Sequence, residues 1–272
     1  IIDFNRIKKI FDDCGLSFQF MKDKPQSWHS LISDLKYIPV AYTFKSLEYE
    51  NFYSFSRLEN YIDISIIITS NNKAIGIWPL TLSFEENNFK LSSQGQSILS
   101  PLFIESLNVK EKKSIILKCY NSLKSFCREY KLDQIKCYDL FIDKSIHSIS
   151  EWHYQFLIDN AKISINYAMF ASLSGGIEKY RQYLRKSYKP LINQGLKIWT
   201  IKKLIGENLE VWSDFKNLHY KVSGGKTRSD KTWKRQYESI VLGEAFLIYL
   251  LNDNKEMIGG GYFTFSKNEA VY

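Results

Sequence analysis

Cysteine and histidine are scarce in this 272-residue chain, four of each, and their placement excludes several chemistries. Cys14, Cys119, Cys127 and Cys137 form no C-x-x-C pair and sit in apolar periodic segments, so they read as reduced core thiols rather than a disulfide framework. His29, His147, His153 and His219 lack partners at zinc-ligand spacing, and no metal is implied. No G-x-S-x-G elbow offers a serine nucleophile. Long apolar runs are missing as well. Stretches such as Ile64 to Thr69 and Ala245 to Leu251 fall far short of the ~20 residues a membrane-spanning helix needs. The opening Ile1-Ile2-Asp3-Phe4-Asn5-Arg6 has neither the apolar region nor the small-residue cleavage site of a secretory signal. Its lack of an initiator Met points to an incomplete N-terminus.

What the chain does have is an excess of basic residues, 37 Lys and Arg against 29 Asp and Glu, for a net charge of +8. Such a charge concentrates anionic ligands, whether phosphates, coenzyme A, nucleotide-sugars, transfer RNA or an acidic membrane surface. Ordinary solubilising charge explains it equally well. With 44% hydrophobic residues, the chain is long enough for two modest domains with separate cores.

Residues 1 to 60 mix short helical patterns with aromatics such as Phe18, Phe20, Trp28, Tyr37 and Tyr42 and do not divide cleanly. From Asp63 the signal sharpens. Ile64 to Thr69, the polar turn Ser70-Asn71-Asn72-Lys73 and Ala74 to Leu82 predict a β-hairpin. Another strand is expected near Phe89 to Ser92, and the apolar spacing from Lys110 to Tyr130 predicts a helix with one face on a sheet. A strand from Gln134 to Ile142 and a helix from Ile149 to Asn160 complete a β-β-β-α-β order. Lys162 to Leu173 reads as a strand. Ser174-Gly175-Gly176 then opens a helix carrying Ile177, Tyr180, Leu184, Leu191 and Ile192 on one face. Helices follow at Glu207 to Val222 and Asp230 to Leu242, then a second hairpin, Ala245 to Leu251 with Met257 to Phe265. The two hairpins align, Ile75 to Ser83 over Ile258 to Ser266, with identical Ile, Gly, Thr and Ser. That alignment raises the possibility of an internal repeat.

Several separated motifs occur in order in the second half: Leu184-Arg185-Lys186-Ser187-Tyr188-Lys189-Pro190-Leu191-Ile192-Asn193-Gln194-Gly195, Leu218-His219, Ser223-Gly224-Gly225-Lys226-Thr227-Arg228-Ser229-Asp230, Thr232-Trp233 and Gln236. With Ile77-Trp78-Pro79-Leu80 and Ser100-Pro101-Leu102-Phe103 they resemble FemAB-like proteins of the GNAT superfamily, over roughly residues 60 to 272. Pro190 departs from that pattern, and a proline there is expected to kink or shorten its helix.

The resemblance implies an α/β fold of tandem GNAT-like units, with mixed, largely antiparallel sheets flanked by helices. One unit with its leader segment would span residues 1–160 and a second residues 161–272. If the second repeats the first, Tyr272 falls before the counterpart of the Lys110 to Tyr130 helix, and the second unit is expected to be truncated at the C-terminus. The implied activity is direct transfer of an acyl or aminoacyl group, from an acyl-CoA or an aminoacyl-tRNA, to an amine on a bacterial cell-envelope glycan or peptidoglycan precursor. The implied setting is the cytoplasm, at the inner-membrane surface where the acceptor is lipid-linked. A non-catalytic GNAT-like protein binding RNA or an anionic glycan is the alternative.

Within this frame Arg185 and Lys186, with Lys189 about one turn on, form a cationic ledge beside Tyr188 or else a solvated face. Arg228 follows a Gly-rich loop before a helix, where amides and a guanidinium can converge on an anion. His219 is the candidate proton acceptor, and also fits as a packed side chain four residues after Phe215. Asp230 reads as a second acceptor or as part of a helix cap. Trp233 and Gln236 lie on the same helix, Trp233 as ligand platform or core. Tyr262 follows three glycines that either admit a ligand or allow close strand packing.

Overall fold

A computed structural model of the chain describes residues 2–55, 60–139, 149–165 and 169–272. In chain order the elements are α1 (Phe4–Asp13), β1 (Phe18–Phe20), α2 (Pro25–Asp34), α3 (Phe44–Phe55), β2 (Tyr61–Asp63), β3 (Ile66–Ser70), β4 (Lys73–Trp78), β5 (Thr81–Glu85), β6 (Asn88–Ser92), β7 (Ile98–Leu99), β8 (Leu102–Phe103), α4 (Val109–Glu129), β9 (Cys137–Tyr138) and α5 (Glu151–Ile158). There follow α6 (Gly176–Tyr183), α7 (Tyr188–Ile198), β10 (Thr200–Leu204), α8 (Leu209–Ser223), α9 (Asp230–Val241), β11 (Ala245–Leu251), β12 (Met257–Phe265) and β13 (Ala270–Val271). The fold is mixed α/β. It separates into two compact units, the first of residues 1–161, 228–238 and 264–271, the second of 162–227, 239–263 and 272.

The first unit is organised by an antiparallel sheet in the order β1-β3-β4-β8. Its central hairpin turns at Asn71 and Asn72, both with positive φ, a conformation asparagine tolerates better than most residues. Strand alternation sends Ile66, Ile68 and Trp78 to one face, and the register shift opposite Ile68 and Thr69 brings Ile75 to it as well, under α1, α4 and α5, where Phe11, Cys119, Leu123, Phe126 and Trp152 complete the core. Ile67, Ile77 and Leu102 face the other way, onto Trp28, Leu31 and Ile32 of α2 and Leu47 of α3. Both faces are covered, so each of these side chains contributes on the order of 1.5–3 kcal/mol of hydrophobic stabilisation.

The hairpin expected to run through Leu82 stops at Trp78. Pro79 has no N–H for a ladder, and the chain leaves the sheet there. Thr81 onward forms β5, in a separate sheet of order β2-β5-β6. The expected strand from Gln134 is realised only at β9, parallel to β7, and the residues of that prediction from 140 onward lie outside the described residues.

A second sheet has the order β10-β11-β12-β13. Its β10 pairs antiparallel with β11 through Thr200↔Leu251 to Leu204↔Leu247. The strand holding Ile77 and the strand holding Tyr262 are both third in a four-strand order, and two helices precede each hairpin, α2 and α3 in one case, α8 and α9 in the other. Two expectations fail in the second unit. The segment from Lys162 to Leu173 has no strand among its described residues, and Ile163, Ile165, Met169, Phe170 and Leu173 are exposed. Alternation in sequence alone does not make a strand there. The single helix expected from Ser174 onward is two, α6 and α7, broken at Leu184 to Ser187. Pro190 is the third residue of α7, where its missing N–H would have no intrahelical partner in any case.

Candidate functional site

The start of α9 belongs to the first unit and is fixed by Ser229. Its hydroxyl accepts the Thr232 N–H at 3.2 Å and contacts the Thr232 hydroxyl at 2.9 Å, while its carbonyl accepts from Trp233 at 3.1 Å. This cap puts Asp230 in the first turn, exposed, and orders a buried face of Thr232, Trp233, Gln236 and Ser239 at helical spacing. Arg228 lies just ahead of the cap. Its Nη1 donates to Gln236 Oε1 at 3.0 Å and reaches the Tyr49 hydroxyl at 3.5 Å. Gln236 Nε2 donates to the same hydroxyl at 3.2 Å. The guanidinium carbon stands 4.7 Å from the centre of the Trp233 ring and 6.0 Å from that of Tyr53, which stacks on Tyr49.

Beside this group Arg235, almost fully buried, donates from Nε to Glu48 Oε2 at 2.8 Å and ties α9 to α3. Arg228 is thus a half-buried cation held by a glutamine and flanked by aromatic faces. A guanidinium fixed this way suits a phosphate or carboxylate carried on a molecule with a planar ring. Three of the expected site residues, Arg228, Trp233 and Gln236, therefore meet. Tyr49, Tyr53, Glu48 and Arg235 join them without having been anticipated. The i, i+4 spacing of Tyr49 and Tyr53 put both rings on one helix face and was the available signal.

The other expected residues lie elsewhere. Arg185 and Lys186 are exposed in the loop before α7, Tyr188 is its first residue and Lys189 stands in its first turn. Ser187 makes no capping hydrogen bond. The first turns of α4, α5, α6, α8 and α9 each carry an acid (Glu111, Glu151, Glu178, Glu210, Asp230), which opposes an anion at those helix ends. The α7 start carries basic residues instead. His219 is half-buried within α8 in the second unit, its carbonyl accepting from Ser223 Oγ at 2.7 Å. Tyr262 packs edge-on to Trp212 with ring centres 6.1 Å apart. A Cβ on Gly260 would stand 3.0 Å from the Phe215 ring, and one on Gly261 2.9 Å from that of Tyr272, so these glycines admit the protein's own aromatics.

Burial raises the pKa of Cys119 and Cys127 and pushes that of Cys137 up to about 12. Among the described residues no group of three or more His, Cys, Asp or Glu could hold a metal ion, and no helix is long and apolar enough to cross a membrane. His147 lies outside the described residues.

No protein-family model matches the sequence, and no curated protein matches it. Among solved structures the chain is similar to FemX, with a TM-score of 0.57 at 14% identity. The match covers 89% of this chain and 59% of the FemX chain. The fold is FemX-like.

Proposed function

We propose that the chain is built from tandem GNAT-like units, residues 1–160 and 161–272, and is an N-acyltransferase. It would pass an acyl or aminoacyl group to an amine on a bacterial cell-envelope glycan or peptidoglycan precursor. The observation that carries this reading is the Arg228–Gln236–Tyr49 group on the Trp233 and Tyr53 faces, within a FemX-like fold. The shared strand order of the two four-stranded sheets supports the tandem arrangement. The donor in this proposal is an aminoacyl-tRNA or an acyl-CoA, and the acceptor is lipid-linked at the cytoplasmic membrane surface. Arg228, Trp233 and Gln236 would hold an anionic group of donor or acceptor. Arg185, Lys186 and Tyr188, with Lys189, would meet a phosphate at the start of α7, and Tyr262 would border the ligand.

In the reaction the neutral amine attacks the donor carbonyl carbon and a C–N bond forms. The C–O bond to the tRNA, or the C–S bond to coenzyme A, then breaks. The amine proton passes to His219, Asp230 or an ordered water, and the leaving oxygen or sulfur is protonated. Binding both partners supplies the proximity.

The test is thermal stabilisation by acyl-CoA, aminoacyl-tRNA, uncharged RNA and nucleotide-sugars, followed by mass analysis of the acceptor. Stabilisation by a donor with a mass gain on an amine supports the proposal. Stabilisation by RNA or an anionic glycan with no transfer makes the chain a binding protein.

A further inference from the structure

The first unit contains a cavity of about 200 Å³ beside α3, whose walls include Phe44, Phe52 and Tyr61 and whose polar groups come from Glu48, Asn51 and Asp63. The two carboxylates differ. Glu48 is compensated by Arg235 at 2.8 Å and Lys45 at 3.9 Å. Asp63 has neutral partners: Oδ1 accepts the Ser65 N–H at 2.8 Å and Oδ2 accepts Asn51 Nδ2 at 3.2 Å. Among the described residues no cation pairs with it. Asn51 uses its amide N–H₂ on Asp63, which leaves Oδ1 as an acceptor, and that atom is buried with no partner. The Phe44 ring already faces a cation, Lys45 Nζ lying 5.8 Å from its centre. A carboxylate with no cation partner among the described residues, an unused buried amide oxygen and aromatic walls are the elements that recognise a cation with N–H donors.

We propose that this cavity binds an alkylammonium group, with Asp63 as counter-ion, Asn51 Oδ1 accepting one N–H, and Phe44 and Phe52 against the charge and its short aliphatic stem. The cavity of about 200 Å³ has room for an ammonium on three or four carbons. The inference goes beyond acyl transfer. A nucleophilic amine must be neutral, so a charged group held against Asp63 is recognised there rather than acylated. The ammonium can belong to a free alkylamine or to a lysine side chain.

The experiment is titration of the full chain, without any acyl donor, at low ionic strength and pH 7, followed by ligand-observed NMR. The probes are n-butylammonium, n-butanol as its neutral counterpart, and Nα-acetyl-lysine methylamide. Saturable binding of n-butylammonium at least tenfold tighter than n-butanol is expected, falling at least tenfold in Asp63→Asn. Phe52→Leu, which keeps an apolar wall and removes the ring, should weaken the ammonium severalfold and leave n-butanol unchanged. Tighter binding of the lysine derivative than of n-butylammonium assigns the site to a lysine side chain, the reverse to a free amine, and both support the proposal. Equal binding of n-butylammonium and n-butanol overturns it, as does an Asp63→Asn protein of unchanged melting temperature that binds n-butylammonium like the parent. Neither result bears on acyl transfer, which is read separately from donor and acceptor masses.

Discussion

Two four-stranded sheets of the same strand order have different surroundings. In the first, Ile75 of β4 is 6% exposed beneath α1 and α4, and alternate residues on the neighbouring strand are buried on both faces. In the second, Ile258, which aligns with Ile75 in the hairpin match, is 40% exposed, and Ile201 is 50% exposed. One face is covered there: Ala245, Leu247 and Tyr249 of β11 are buried, while the residues between them are half-buried. A strand pattern thus specifies pairing and register, and the helices laid on each face decide how much that pattern contributes to stability. The sharpest way to break this contrast is Ile75→Ala against Ile258→Ala. The first should cost about 2–4 kcal/mol and the second less than about 1 kcal/mol. The readout is urea unfolding combined with hydrogen exchange at β4 and β12. Equal losses would mean that the open face of the second sheet is as well packed as the closed one.

The same contrast explains what could be read from the chain before folding. Hairpins with a polar turn between apolar runs, and helices as regular as α4, α8 and α9, carry their period locally. Residues 162 to 173 alternate in sequence like a strand, yet their described residues form none, and alternation alone does not supply a ladder. The α6–α7 break at Leu184 to Ser187 interrupts an apolar spacing that runs on across it, so periodicity hid it. At the site, Arg228, Trp233 and Gln236 were legible because they cluster within nine positions of one motif. Tyr49, Tyr53 and Glu48 come from α3, some 180 positions earlier, in a segment whose apolar residues do not form a clean stripe. Only tertiary structure brings them to Arg228.

A second contrast sets two of the expected arginines apart. Arg228 is half-buried and bonded to Gln236, whereas Arg185 is exposed in a loop. Arg228→Ala should lower stability by about 1–2 kcal/mol, because a hydrogen bond to a charged group and its aromatic packing are lost together. Arg185→Ala should change stability by less than about 0.5 kcal/mol. If both bind anions, each should also weaken the stabilising ligand by roughly tenfold, as expected for a lost charge-assisted contact of about 1.4 kcal/mol. Thermal melts with and without ligand separate the two effects. A loss of stability in Arg185→Ala equal to that in Arg228→Ala would erase the distinction between them.

A smaller effect is expected from pH. Burial holds the Cys137 thiol protonated up to about 12, against an ordinary value of 9.0. Between those values the unfolded chain has given up this proton while the folded chain still binds it, so raising the pH favours unfolding. The thiol's contribution is fully present below about pH 9 and is lost as pH rises through the folded value, at no more than about 1.4 kcal/mol per pH unit. Cys137→Ala should flatten the decline of melting temperature over that window. An unchanged slope would assign the alkaline loss to other groups.

The smallest expected effect is on turnover, and it bears on the proposed chemistry. A covalent acyl-enzyme needs a nucleophile that is ionised or activated, and thiolate is the reactive form of cysteine. The thiols of Cys119, Cys127 and Cys137 all have raised pKa values, with burial the leading cause in each case, and Cys119 is closed off from solvent. At neutral pH they are overwhelmingly protonated. Direct attack of the acceptor amine on the donor carbonyl asks nothing of them. A variant with Cys14, Cys127 and Cys137 replaced by serine or alanine, and Cys119 by alanine to respect its apolar site, should keep donor turnover within about twofold of the parent wherever it remains folded. Loss of turnover in a folded variant would break the argument, and so would a stoichiometric acyl adduct formed from donor alone and mapped to one of these sulfurs or to a serine. Transfer would then pass through the protein, and the burial that raises these thiols would have to be relieved when donor binds.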